Sequence, residues 1–166
     1  MPQGPAARIT DTVAHPLPPI LTGGPTAVTV LIGGLPAWRG VNPAAAAAMQ
    51  AAKAISDAAI KVAEGVTLAA AGTPGAPAAK LAEEGVKAGA ALAMGSAITA
   101  AAGGSDIHAC ATPLPIPPHG PGIVITPSAT VIVVGMPAAR MGDTILEAVG
   151  PPNKITKGEM TVIIGG

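Results

Sequence analysis

An internal repeat constrains the fold of this chain more than any other feature of its sequence. Residues 5–12, Pro-Ala-Ala-Arg-Ile-Thr-Asp-Thr, return at 137–144 as Pro-Ala-Ala-Arg-Met-Gly-Asp-Thr. In both copies a Thr-Val-aliphatic-Ile-Gly-Gly segment begins 24 residues after the proline, at Thr29 and at Thr161. A pair of motifs at one offset indicates repeated units. Each unit is too small to bury its own strands, so the units must pack on one another.

A third, interrupted copy lies between the other two. Pro-Ala-Trp-Arg at 36–39 follows Gly-Leu, as Pro-Ala-Ala-Arg at 137–140 follows Gly-Met, and the segments upstream also align. In the complete copies an aspartate follows the arginine by three residues. The corresponding aspartate of the middle copy is Asp106, which places about 64 inserted residues after Arg39. The sequence therefore predicts a mainly β domain of three units, with repeats near 5–35, 36–136 (interrupted) and 137–166.

The inserted segment, residues 43–102, is rich in alanine and differs in composition from the repeats. Asn42 suits a helix N-cap and Pro43 the first helical position. Charged side chains recur at helical spacing along one stripe of each half, which favours a helical hairpin. The predicted helices are Pro43–Ala71 and Ala76–Ala102. The chain is thus divided into a repeat domain at 1–42 and 103–166 and an inserted hairpin at 43–102.

A membrane interpretation of the second predicted helix is the alternative. Ala88–Ser105 is free of charge over 18 residues, which is the lower limit for crossing a bilayer. The stretch is mostly alanine and glycine and is weakly hydrophobic for its length. Gly85 and Gly89 match a helix-dimerisation pattern, but Lys87 lies between them, and the pattern has that meaning only in an apolar span. The sequence favours a soluble hairpin, packed on the repeats or on a partner.

Short β-branched runs between glycine and proline predict the strands of the repeats. With 22 Gly and 19 Pro, turns are frequent and strands must be short. The chain has one Trp and no Phe or Tyr, so its core depends on aliphatic side chains. The predicted strands are Val28–Ile32, Ile123–Thr126, Thr130–Val134 and Met160–Ile164.

Zero net charge and 11% charged residues give no basic surface of the kind that nucleic-acid binding requires.

The three histidines and the single cysteine form a candidate metal site. His108, Cys110 and His119 lie within a dozen residues, and His15 joins them through the repeat, because it follows its aspartate by four residues as Cys110 does. The equivalent residue of the last repeat is Glu147. Local spacing alone is equally compatible with a buried cysteine and three unrelated surface histidines, and the repeat favours the metal. Imidazole and thiolate suit tetrahedral Zn²⁺, and four protein ligands would make the site structural.

The three Pro-Ala-x-Arg segments, at 5–8, 36–39 and 137–140, resemble the signature of the PAAR-repeat family, over residues 1–40 and 105–166. These proteins cap the spike of bacterial contractile injection systems such as type VI secretion. The resemblance implies a small cone of short β-hairpins with pseudo-threefold symmetry. Its base would sit on a trimeric VgrG-like spike protein, and its point would hold one structural zinc through three histidines and one cysteine, here His15, His108, Cys110 and His119.

Two features depart from the minimal domain of that family. The helical insert is not part of it, and Trp38 replaces the usual second alanine. Residues 6–15 also resemble an Ala-Ala-Arg-x-x-Asp-x-x-x-His element that precedes hydrophobic segments in some effectors of the family.

The expected function is a non-enzymatic spike tip that sharpens the spike, aids membrane puncture and can carry cargo. Expected partners are the trimeric spike protein, an effector or chaperone at the helical insert, and the target membrane transiently. The alternative is a membrane-active or chaperone-bound effector component acting through the insert. A metallo-hydrolase is disfavoured, because catalytic zinc keeps an open coordination position and the repeated Arg-x-x-Asp pairs are typical of salt-bridged turns.

The expected location is the bacterial cytoplasm before assembly and the tip of the apparatus afterwards. The first residues contain no apolar segment of the kind that a signal peptide requires. The last repeat reaches Gly166, so the sequence predicts no C-terminal toxin domain.

Overall fold

The computed structural model describes residues 3–15, 20–23, 27–113 and 118–166. Within these residues the chain forms small antiparallel sheets and two long helices. In chain order the elements are β1 (Gly4–Ala6), β2 (Leu31–Ile32), β3 (Leu35–Pro36), α1 (Pro43–Ala69), α2 (Ala76–Ala102), β4 (Ile107–Pro113), β5 (Pro118–Val124), β6 (Ile132–Val133), β7 (Met136–Pro137), β8 (Thr144–Glu147), β9 (Asn153–Lys154) and β10 (Glu159–Ile164).

Three two-stranded pairs contain the three Pro-Ala-x-Arg segments. They are β2 with β3, β6 with β7, and β1 with β10, the last of which joins the two ends of the chain. In each pair the proline of the motif lies opposite an aliphatic residue. The register places Leu31 opposite Pro36, Ile132 opposite Pro137, and Ile163 opposite Pro5.

Two of the predicted strands are shorter in the structure, because turns take up part of the predicted residues. Gly33 and Gly34 both have positive φ, at 57° and 83°, and so do Val134 and Gly135, at 47° and 77°. Two consecutive residues with positive φ form the two-residue turn that suits a twisted hairpin. Val134 therefore belongs to a turn, and Thr130–Val134 is reduced to Ile132–Val133. Val28–Ile32 is reduced to Leu31–Ile32 because another turn, in which Val30 N donates to Ala27 O at 3.1 Å, precedes β2.

The three motif segments also bond to one another through their backbones. Ala7 N donates to Ala139 O at 2.9 Å, Ala139 N donates to Trp38 O at 2.9 Å, and Trp38 N donates to Ala7 O at 2.8 Å, which closes a ring. All three residues are buried in one apolar cluster. Trp38 is much larger than Ala7 and Ala139. Its indole therefore fills space in this cluster that, at the two alanine positions, is filled by neighbouring side chains.

Each motif arginine holds an aspartate in the same way. Arg39 donates to Asp106 Oδ2 from its backbone N at 2.8 Å and from Nε at 3.2 Å, and to Oδ1 from Nη2 at 2.9 Å. The predicted pairing of Arg39 with Asp106 is therefore confirmed, although the two are 67 positions apart in the sequence. The same three contacts join Arg8 to Asp11 and Arg140 to Asp143.

The two predicted helices are present, and α1 ends at Ala69, two residues earlier than expected. The side chain of Asn42 caps α1 by accepting a hydrogen bond from Ala45 N at 2.9 Å. The helices pack on each other along a polar seam. There, Lys87 Nζ contacts Glu64 of the other helix and Glu83 of its own, each at 2.7 Å.

The base of the helix pair shares an apolar cluster with the four-stranded sheet β4-β5-β8-β9. Met94 and Ile98 of α2 are buried against Ile123 of β5 and Leu146 of β8.

Farther along, α1 and α2 expose large aliphatic side chains. By length and composition α2 could cross a bilayer, with 17% of its apolar window buried, a test that core helices of soluble proteins also pass. Whether residues 43–102 form a domain of their own stays a prediction. The large aliphatic side chains that α1 and α2 expose are those of Ile55, Val62, Val66, Leu68, Leu81, Val86 and Leu92.

Candidate metal centre

The candidate site lies on the four-stranded sheet, beside the segment that follows β1. His108 and Cys110 are two residues apart on β4 and therefore project from the same face. The sheet register aligns His108, Gly122 of β5 and Glu147 of β8 across three neighbouring strands. A Cβ on Gly122 would lie 3.0 Å from Cγ of Glu147. Because Gly122 has no side chain, the middle strand leaves room for the side chains of His108 and Glu147 on the neighbouring strands.

His15 reaches the sheet from a different part of the chain. Its neighbour Ala14 donates its backbone N–H to Lys154 O at 2.9 Å and contacts Asn153 Oδ1 at 3.0 Å, which fixes this segment against β9. His15 Nε2 consequently lies 2.8 Å from His108 Nε2 and 3.3 Å from Glu147 Oε1.

Four side chains can direct a donor atom to one point. His15, His108, Cys110 and Glu147 each offer one such atom, and these atoms all lie within 4.8 Å of one another. All four side chains are buried. The donors are two imidazole nitrogens, one thiol sulfur and one carboxylate oxygen, a set that fits a divalent transition-metal ion.

The fourth predicted ligand, His119, is adjacent to this group. Its Nδ1 lies 2.6 Å from Glu147 Oε2. The same imidazole faces Gly150, where an added Cβ would lie 3.1 Å from His119 Nε2. The structure thus brings three of the predicted residues together directly, and the fourth through a carboxylate.

The sequence prediction took only histidine and cysteine as ligands, and it therefore did not include Glu147. The repeat contained the signal for it, because Glu147 follows Asp143 by four residues, as His15 follows Asp11 and Cys110 follows Asp106. The donor atoms of these three residues all lie within 4.8 Å of one another. Residues 114–117, which lie between Cys110 and His119 in the sequence, are outside the described part of the chain.

Burial keeps His15 and His108 in the neutral form that a metal requires. It lowers the pKa of His108 to about 4, and the nearby His15 acts in the same direction. Burial also lowers the pKa of His15. Near neutral pH the folded chain therefore presents unprotonated imidazoles, and metal binding does not have to displace protons from them.

Residues 116–166 match the family model described as PAAR motif. The chain carries a PAAR motif. This match supports a PAAR-repeat protein, and it includes the segment at 137–140. The small sheets and two helices are compatible with a PAAR domain that has a helical insert. The PAAR family is a structural family of spike-tip proteins of contractile injection systems. The chain matches no curated protein and no solved structure.

Proposed function

We propose that this protein is the metal-stabilised tip of a contractile injection system, and that it caps a trimeric VgrG-like spike. The observation that carries the proposal is the closed ring of backbone hydrogen bonds among the three PAAR-type segments. Together with the repeated Arg–Asp contacts it supports a pseudo-threefold cone built from one chain. Such a cone presents three similar surfaces, which can match a trimeric partner.

The exposed aliphatic residues beside the ring support a docking face. Leu31, Ile132 and Ile163 stand at the same position of the three strand pairs, opposite the motif prolines, and are 59%, 56% and 56% exposed. Their strands are short edges, which can pair with the terminal strands of another protein. If each of these three residues contacts one subunit of the trimeric spike protein, the affinity for that protein depends on all three contacts together.

The proposed role of the metal is to stiffen the tip. We take the ion to be one structural Zn²⁺, bound in the cluster that the predicted residues His15, His108, Cys110 and His119 form together with Glu147. An ion bound to these residues ties the segment after β1 to the four-stranded sheet. Because structural zinc contributes its binding energy to folding, this clamp resists unfolding when the tip is loaded.

Docking can be tested with single charges placed on the proposed face. Leu31→Asp, Ile132→Asp and Ile163→Asp should each abolish binding to the trimeric spike protein, measured by size-exclusion co-elution. Metal content should stay unchanged. Ile55→Asp is the matched control, because Ile55 is an exposed aliphatic residue of α1 and belongs to none of the three strand pairs. Normal binding by all three strand variants would place the docking surface elsewhere.

A second candidate function follows from the exposed aliphatic residues of the hairpin. A chaperone, an effector or a membrane could cover them, which would make the protein a membrane-active or chaperone-bound component. Flotation with liposomes tests the membrane version, comparing the full chain with Leu68→Asp and Leu92→Asp. Retention of the full chain on liposomes and release of the variants would favour it, whereas no retention would reject it.

We expect the protein in the bacterial cytoplasm before assembly and at the tip of the apparatus afterwards. Fractionation of cells that carry or lack the spike gene would check this location.

A further inference from the structure

We propose that Glu147 is a direct ligand of the metal ion and that His119 is its supporting residue. The four donors would then be His15, His108, Cys110 and Glu147, while His119 holds the carboxylate from behind. This assignment rests on the metal-binding part of the proposed function. It differs from the ligand set that the sequence and the family resemblance predict, in which His119 binds the ion.

The two carboxylate oxygens of Glu147 have different surroundings. Oε1 lies 3.3 Å from His15 Nε2. Two ligand atoms at zinc-binding distances from a tetrahedral ion are separated by about 3.3 Å, so this spacing suits two ligands of one ion. Oε2 lies 2.6 Å from His119 Nδ1, so this side of the carboxylate is occupied by a hydrogen bond. One oxygen is therefore directed to the ion and the other to His119.

The position of His119 fits the supporting role. Its Nδ1 is engaged by Glu147, and its Nε2 lies near Gly150. Among the described residues, the group whose donor atoms lie within 4.8 Å of one another contains Glu147 and not His119. Hydrogen bonds from outer residues commonly orient the groups that bind a metal, and a charged acceptor makes this bond strong.

Charge also links Glu147 to the ion. Its side chain is fully buried, and a buried carboxylate needs a compensating charge or several hydrogen bonds. His119 Nδ1 supplies one hydrogen bond to Oε2, at 2.6 Å, and Asn153 Nδ2 adds only a weak contact, at 3.4 Å from Oε1. A divalent cation with one thiolate and one carboxylate is neutral overall, which is the least costly charge for a site closed to water.

The repeat register gives an independent argument. Glu147, His15 and Cys110 occupy equivalent positions, four residues after the aspartate of each Arg–Asp pair. The backbone at each of these positions follows an aspartate fixed by the same contacts. If two of the three residues bind the ion, the third is brought toward it by the same local geometry. His119 has no such relation to the other ligands.

Two conservative variants of the full-length protein separate the two assignments. Glu147→Gln removes the charge and the strong oxygen donor, while His119→Gln keeps an N–H that can still donate to Glu147. We expect Glu147→Gln to lower zinc affinity more than about 100-fold, beyond the usual effect of an outer residue. His119→Gln should lower it about 10- to 100-fold or less. Competition with a chromophoric chelator measures both affinities.

Spectroscopy on the wild-type protein gives a readout that does not depend on a variant folding. Zinc X-ray absorption of the wild-type protein should fit one sulfur, one oxygen and two imidazoles. As a second check, which does use a variant, the visible bands of the Co²⁺ form should be the same in His119→Gln as in the wild type. A fit with three imidazoles, or a larger loss of affinity in His119→Gln than in Glu147→Gln, would overturn the assignment. Wild-type protein that binds no metal would instead refute the metal-binding part of the proposed function.

Discussion

Asp106→Asn tests whether the Arg–Asp pairs are structural supports of the fold. Arg39 is 2% exposed and Asp106 is fully buried, and three hydrogen bonds join them across the ends of the insert. The amide has no charge, and its NH2 group would face the guanidinium donors. Removing one partner of a buried ion pair costs about 3–5 kcal/mol, since the other charge stays buried and uncompensated. A domain is stable by only about 5–15 kcal/mol in total, so this loss is large.

Urea unfolding followed by Trp38 fluorescence would measure the effect. Trp38 is the only tryptophan, is buried, and precedes Arg39 directly. Asp57→Asn is the matched control, because its side chain is 41% exposed in an ion pair with Lys53, and such pairs contribute about 0–1 kcal/mol. If the two variants unfold at the same urea concentration, the buried pair does not support the fold as argued.

Three further predictions concern the helix pair and the metal. Ile98→Ala should destabilise the whole protein by about 2–5 kcal/mol, because Ile98 is buried against the sheet; a loss of helical circular dichroism that leaves Trp38 fluorescence unchanged would show that the hairpin is independent of the sheet. Hydrogen bonds from Lys80 and then Lys87 lower the pKa of Glu83 from 4.5 to about 2, so the stability that this group contributes is complete above pH 4.5 and is lost as the pH falls through 2. Acid titration of helical circular dichroism should show this dependence and Glu83→Gln should lack it, and identical acid profiles would contradict the prediction. Cys110→Ser should weaken zinc binding and lower stability by several kcal/mol, since structural zinc contributes directly to folding, and a metal-free preparation of undiminished stability would contradict it.

The sequence predicted the elements whose determinants are local or repeated. Asn42, Pro43 and the alanine-rich segments indicated both helices, and the repeat identified Asp106 as the partner of Arg39 across the insert. The strands were predicted too long where hydrophobic residues continue into tight turns, as at Val134. The pairing of β1 with β10 depends on contacts between the ends of the chain, which no local pattern contains.

For a similar reason, sequence spacing carries only part of the geometry of the candidate site. The repeat brought His15 and Cys110 to equivalent positions, and the structure places their donor atoms together. The same register pointed to Glu147, but the preference for nitrogen and sulfur ligands directed attention to His119. Which of the two would bind the proposed ion depends on the orientation of side chains on β5 and β8, the two inner strands of the sheet. That orientation is set by tertiary packing, of which the sequence spacing carries no record.

Native mass spectrometry of the chain mixed with its trimeric spike protein tests the central claim most directly. The claim predicts one complex with the mass of three spike protomers, one copy of this chain and one zinc ion. A chain that stays unbound, that binds in three copies, or that enters the complex without metal would contradict it.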